Sequence, residues 1–336
     1  ALGARIALFS RNYNDVIRYA NMLLPTPTQH FALSYTDDTP VLNADGSPAQ
    51  GVDPNDAADQ FMRSNLHDWR TYIKSGNPDQ MGTDFTSASA NANLLLTECV
   101  TLAYREMVGT AYVRHAMERT AMVTLLTENV TGDPWIFQNV AYQWNGGRTY
   151  WLPKFYEDFK IDNPVAQTGV PYSKCALLRL EEVLLARAEA YAMLGNYDGA
   201  LDDLNMFAAC RIDDYAYGPN TLYKDKLTDY YTAQLNAPDH FINSAYNAGR
   251  FKAGDEGNVQ KALILTVLDF RRIEFLYEGI RYWDVLRWNI PVTHTTIDGA
   301  TSTLTPDDDR RILQIPQIAT ASGIQLNDMV NIPYPW

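Results

Sequence analysis

The chain has 336 residues, 46% hydrophobic and 20% charged, which is enough to bury a large core without disulfides or metals. Its 27 Lys and Arg against 40 Asp and Glu give a net charge of −13, a surface that repels phosphate backbones and anionic lipid and so excludes nucleic acid as a natural partner. No run of ~18 apolar residues occurs, so no stretch reads as a membrane-spanning helix.

Residues 1–24 predict two helices with a turn at 10–13, because Ala4, Ala7, Leu8, Val16, Ile17, Ala20, Leu23 and Leu24 recur at three- and four-residue steps until Pro25 and Pro27. No secretory signal precedes them, and the N-terminus reads as cut inside a helix. Residues 34–56 predict a loop. Its Asn43-Ala44-Asp45-Gly46 turn does not make a calcium loop, since the alternating oxygen ligands and late Glu are missing. Pro54 opens a helix to about Lys74, and 75–93 reads as loop. Residues 94–126 are open between helix and strand, with a slight lean to helix.

Residues 127–175 change character. Aromatic residues stand there among turn residues, which predicts short strands and loops. Tyr and Trp join a flat apolar face to a polar handle, a shape that suits the C–H faces of sugar rings. The chain carries 21 Tyr, 12 Phe and 7 Trp, and this stretch is its most ligand-like. The candidate ligand-binding residues are Trp135, Tyr142, Trp144, Tyr150 and Trp151, with Asn145 and Arg148 as polar partners. Packing within the loop or an aromatic core is the alternative for each of them.

Residues 176–211 predict a helical hairpin whose first helix starts near Cys175 and stops at Gly195-Asn196. Residues 212–257 hold one helix at most. Residues 259–289 read as one long helix with Ile273, Leu276, Ile280, Trp283 and Leu286 as a buried stripe, 292–311 as loop, and 311–336 as extended coil. The Asn12-Tyr13 and Asn196-Tyr197 turns make a weak internal repeat, similar to tetratricopeptide helix pairs. In the long helix, Glu274, Glu278 and Asp284 admit a reading as paired catalytic acids. Arginines at helical spacing favour a structural ion-pair network instead, with Arg281 and Arg287 each three positions from Asp284.

No catalytic motif, phosphate loop or cofactor fingerprint is present, and no metal-ligand set stands out: His115 and Glu118 are a lone pair of positions, as are His67 and Asp68. Cys99, Cys175 and Cys210 admit one disulfide plus a free thiol, or three buried thiols, the simpler reading.

Three segments resemble the SusD/RagB family of outer-membrane nutrient-binding lipoproteins. The first is Arg179-Leu180-Glu181-Glu182-Val183-Leu184-Leu185-Ala186-Arg187-Ala188-Glu189-Ala190. The second, the strongest, is Arg271-Arg272-Ile273-Glu274-Phe275-Leu276-Tyr277-Glu278-Gly279 continuing to Arg287-Trp288, with Phe270 where the family usually has Glu. The third is Leu313-Gln314-Ile315-Pro316 followed by Asn327, and Lys154-Phe155 is also consistent. The resemblance implies a mostly α fold over 1–336 as one domain: a SusD-like alpha-alpha superhelix of tetratricopeptide-like helix pairs with large loop-rich insertions. It further implies no enzyme activity, no cofactor, and a glycan ligand captured at the cell surface. The implied partner is a SusC-like TonB-dependent outer-membrane transporter, and the implied attachment a lipid anchor on an N-terminal section outside this chain. A helical-repeat interaction scaffold without a small-molecule site is the runner-up.

Overall fold

The computed structural model describes residues 1–26, 35–36, 39–40, 42–44, 54–74, 78–100, 117–143, 150–155, 157–296, 299–312 and 315–325. Helices dominate. The chain opens with α1 (Leu2–Phe9) and α2 (Tyr13–Ala20), as the spacing predicts. Between them Arg11 takes a left-handed backbone (φ 59°), and the Asn12 side chain accepts the Asp15 amide at 3.3 Å, capping α2. A short antiparallel pair, β1 (Tyr35–Thr36) and β2 (Thr39–Pro40), is followed by α3 (Pro54–Asn65), α4 (Trp69–Lys74) and α5 (Pro78–Phe85). The last of these lies where a loop was expected.

Within 94–126 the described residues divide: strand β3 (Asn93–Val100) goes against the lean to helix, α6 (Arg119–Thr127) agrees with it, and 101–116 lie outside the described residues. A short 3₁₀ turn at Ile136–Asn139 leads to the antiparallel pair β4 (Tyr142–Gln143) and β5 (Tyr150–Trp151). Strands β6 (Asp158–Asn163) and β7 (Thr168–Arg179) complete an antiparallel sheet in the order β3-β7-β6. Cys175 pairs with Thr97 in that sheet, so the helix predicted from Cys175 starts only at Leu180.

Strand β7 runs straight into α7 (Leu180–Leu194), which hairpins onto α8 (Tyr197–Arg211). Gly195 at φ 83° ends α7, with Asn196 N–H returning to the Tyr191 carbonyl at 2.9 Å. The Asn196 side chain then accepts the Gly199 amide at 3.1 Å. The two Asn-Tyr turns thus share one capping device. They are also neighbours in space: Ala7, Leu8 and Val16 pack on Ala186 and Ala190, where small side chains let the helices approach.

After α9 (Lys224–Leu235) comes α10 (Gly254–Glu274), then α11 (Ile280–Arg287). The predicted single helix over 259–289 is therefore broken. Tyr277 (φ 70°) and Gly279 (φ 76°) turn the chain, and Trp283, expected in the buried stripe, is 51% exposed. Residues 292–311, read as loop, hold a hairpin of β8 (Val292–Thr295) and β9 (Thr301–Leu304). In the tail, α12 (Gln317–Thr320) is followed by residues outside the description, Asn327 among them; Leu313 and Gln314 are also outside it.

Helix α7 sits at the centre. It is buried from Leu180 to Ala192, charged residues included, and each charge has a partner. Arg187 pairs with Asp203 at 2.7 Å. Glu189 receives Arg287, whose guanidinium also meets Asp284 at 2.8 Å. Asp284 takes Arg271 at 2.9 Å. One continuous apolar core runs from Ala20 to Ile290 around this helix.

Candidate functional site

The sequence candidates separate on folding. Trp135 has no exposed surface. Its ring meets Phe270 at 5.1 Å, Phe207 at 5.9 Å and Phe137 at 6.3 Å, so it is a core residue. Trp151 is 2% exposed on β5. Neither ring offers a face to a ligand, which corrects the expectation for these two. The reason is the size of the helical core, which draws in large apolar rings wherever the chain passes it. Tyr150 is half-buried, and its carbonyl accepts the Tyr277 hydroxyl at 2.9 Å. The backbone of Tyr142 lies in β4, while Trp144, Asn145 and Arg148 lie outside the described residues.

A different concavity is built from three polar segments. Arg63 comes from the last turn of α3, Leu66 and Asp68 from the link to α4, Gln80, Thr83 and Asp84 from α5, and Ser87, Ser89, Ala90 and Asn91 from the turn before β3. The cleft has a volume of about 480 Å³, within the ~300–1,000 Å³ usual for small-ligand sites. Its walls are fixed from behind. Met81 and Phe85 anchor α5 in the core, as Phe61 and Met62 anchor α3. Asn93 donates to the Phe85 and Ser87 carbonyls at 2.9 Å each, and so satisfies the end of α5. Asn91 donates to the Arg63 carbonyl at 2.9 Å and ties the turn to α3.

Asp84 is the chemically distinct member. Its Oδ2 is buried with no hydrogen-bond partner. Burial raises its carboxyl above the ordinary range; His67 and Arg211 pull the other way, Glu181 and Asp68 reinforce the rise. Oδ2 has no open surface, so it meets a hydroxyl or amide in the cleft once a neighbouring side chain shifts, and gains a partner when it does.

Behind the cleft runs a buried ionic chain. The His67 amide and Nδ1 both donate to Glu181 Oε1, at 2.8 and 2.7 Å. Arg211 bonds Glu181 at 3.1 Å and Glu274 at 2.9 Å. Arg179 reaches Glu274 at 3.4 Å and Glu278 at 3.1 Å. Lys154 closes the chain on Glu278 at 2.8 Å. Three cations thus face three carboxylates. Burial alone would raise Glu181, but His67, Arg179 and Arg211 outweigh it and hold the carboxyl well below its usual range. Arg211 lies over the Trp69 ring at 4.8 Å, and Lys154 stands 5.3 Å from the Phe137 ring. Lys154 also donates to the carbonyls of Glu274 and, at 3.4 Å, Leu276. Those are carbonyls freed where α10 ends, so the helix break and the ionic chain are one construction. Glu274, Glu278 and Asp284 are held as structural ions; Arg287 pairs with Asp284 as the spacing suggests, whereas Arg281 donates to the Leu268 carbonyl instead, and Glu278 pairs with Lys154 and Arg179.

A second concavity of about 570 Å³ lies between α11 and the β8–β9 hairpin. Its floor of Val285, Ile290, Pro291 and Leu304 is apolar, and its Arg310 is engaged with Asp308 at 2.5 Å. The first cleft has the richer set of hydrogen-bonding groups.

The sequence model of the SusD family matches residues 26–307. The chain belongs to the SusD family. Solved structures similar to this SusD-family chain include a SusD superfamily protein from Bacteroides thetaiotaomicron VPI-5482. It is 17% identical with a TM-score of 0.43, over 85% of this chain and 48% of that one. A SusD-like protein from Bacteroides fragilis NCTC 9343 is 14% identical with a TM-score of 0.40, over 97% of this chain and 63% of that one. The SusD-family chain therefore spans about half to two thirds of the length of these proteins. No curated protein matches it. The family-like residues Arg179, Glu181, Glu274, Glu278 and Lys154 serve the buried ionic chain, and Arg271 serves the separate cluster of Asp284, Arg287 and Glu189. They hold the fold around the cleft and do not line it.

Proposed function

We propose that this chain is a non-catalytic glycan-binding protein of the outer-membrane surface. It would work with a SusC-like TonB-dependent transporter in nutrient uptake and be held to the membrane by a lipid anchor. Family membership supports the general role. The observation that carries the site is the unpaired, buried Asp84 oxygen in a cleft rimmed by Arg63, Gln80, Ser87 and Asn91. Carboxylate, amide, hydroxyl and guanidinium groups in one cleft can exchange hydrogen bonds with vicinal sugar hydroxyls. Tyr142, Trp144 and Tyr150 stay as proposed stacking partners, with Asn145 and Arg148 as polar ones. Binding without hydrolysis is favoured by family membership, and Glu274, Glu278 and Asp284 are besides engaged with arginine and lysine.

Calorimetric titration of the purified chain with a panel of oligosaccharides and polysaccharides tests this. The expected outcome is saturable binding of one glycan class with no product released. Asp84→Ala and Gln80→Ala should each weaken it about tenfold, the effect of roughly one hydrogen bond, with the native fold retained in circular dichroism. Binding that survives both substitutions moves the site to the aromatic stretch. Silence across the panel, with capture of the transporter intact, favours the helical scaffold.

A further inference from the structure

Strands β3 and β7 bring two of the three cysteines to one face of the sheet. The register sets Thr97 opposite Cys175 and Cys99 opposite Ser173, so Cys99 and Cys175 are diagonal neighbours. Diagonals of a flat antiparallel pair stand near the limit of what a disulfide spans. Here the two Sγ atoms are 3.9 Å apart, which makes this the short diagonal. The same strand pair shifts register between Asn93 and Leu96, and such irregularities sharpen the local twist.

We propose that Cys99 and Cys175 form an intrachain disulfide across β3 and β7, by exchange with a small-molecule or protein disulfide. The sulfurs must close to about 2.05 Å. Side-chain rotation and a small shift of β3 supply this, since among the described residues β3 is an edge strand paired only with β7. Cys99 is exposed and Cys175 half-buried, so Cys99 reacts first. Its thiolate attacks one sulfur of the oxidant and forms a mixed disulfide, and the displaced thiolate takes up a proton. Cys175 then loses its proton to water, attacks Cys99 Sγ and expels the second thiol. Each cysteine sulfur gives up one electron, and the oxidant's two sulfurs gain them. Burial, then the neighbouring Cys99, push the Cys175 thiol up to about 11, which makes the second step slow at neutral pH and faster in alkali. Cys210 takes no part: it is fully buried in the core.

The bond joins positions 76 apart and encloses the whole aromatic stretch. The test is incubation of the intact chain with oxidised glutathione at mildly alkaline pH, acid quenching and peptide mapping. The expected product has lost two hydrogens, carries a Cys99–Cys175 linked peptide, and shows one thiol in denaturant instead of three. Its Tm rises by roughly 5 °C and falls back with reductant. Cys99→Ser and Cys175→Ser abolish the change, and Cys210→Ser leaves it intact. Three unreacted thiols after prolonged oxidation, a lasting glutathione adduct on Cys99 without a cross-link, or a link to Cys210 would each overturn the proposal.

Discussion

Asp84 and Glu181 both feel His67, yet they respond to pH in opposite senses. Glu181 is held below its ordinary value of 4.5, first against burial and then by His67, Arg179 and Arg211. Its contribution to stability is therefore complete above 4.5 and is lost as acid takes the pH down through the depressed folded value. Asp84 is raised above its ordinary 3.8 by burial. Its folded form favours the proton, so stability is greatest below 3.8 and is lost as the pH rises through the folded value. Asp84→Asn should therefore raise the urea midpoint at neutral pH, whereas Glu181→Gln should lower it and flatten the acid limb. A lower midpoint for Asp84→Asn would sink the account of a desolvated carboxyl. Removing one partner of the buried ionic chain is more severe. Arg211→Ala leaves Glu181 to His67 and Glu274 to a 3.4 Å contact with Arg179, and a loss of about 3 kcal/mol is expected from denaturant unfolding. Trp135→Ala should lose about 3–5 kcal/mol through its cavity; unchanged stability in that variant would contradict its place in the core.

Gly279 shows how much of the turn between α10 and α11 is backbone. A Cβ there meets nothing within 4 Å, but φ is 76°. Gly279→Ala should thus lower stability by about 1 kcal/mol through strain alone, read as a shift in the urea midpoint at constant slope; no shift would mean that the turn relaxes. The helical hairpins were legible in the sequence because their signals are local. Asn12, Gly195 and Asn196 cap within a few residues of where they stand. Three features were not legible, for a shared reason. Strand β3 depends on β7, the continuation of β7 through Cys175 depends on Thr97, and the ion pairs that tie down the turn after Glu274 depend on Lys154. Each partner lies far away in sequence, and a window of helical periodicity cannot register it. The β8–β9 hairpin did carry a local signal, the Asp298-Gly299 pair between two runs of β-branched residues, which the reading of 292–311 as loop passed over.

The family could be recognised from residues that hold the core together, not from residues that meet a ligand. Arg179, Glu181, Arg271 and Glu274 must keep one spacing because each has a fixed buried partner. The cleft obeys no such spacing: its walls come from α3, α5 and a turn, and Asp84 is distinguished only by what the fold denies it. Aromatic density was read too simply, because a core of this size consumes Trp135 and Trp151 before any surface can use them. One comparison separates the two regions. Asp84→Ala should weaken glycan binding while leaving tryptophan emission unchanged and the melting temperature no lower, whereas a variant at Trp135 should shift the emission and lower the melting temperature.

Lys154 reaches carbonyls 120 residues further along the chain. The turn that Gly279 allows after α10 is tied down from a distance. The ammonium that secures it arrives only when the chain has closed a very long loop, an event far slower than helix growth. The bend is thus a late step of assembly, a clasp fastened after the parts it joins are made. In a pulse-labelled refolding experiment, amides of α10 should gain protection before the Tyr277–Gly279 turn does. The reverse order would mean that the turn forms without its distant lysine.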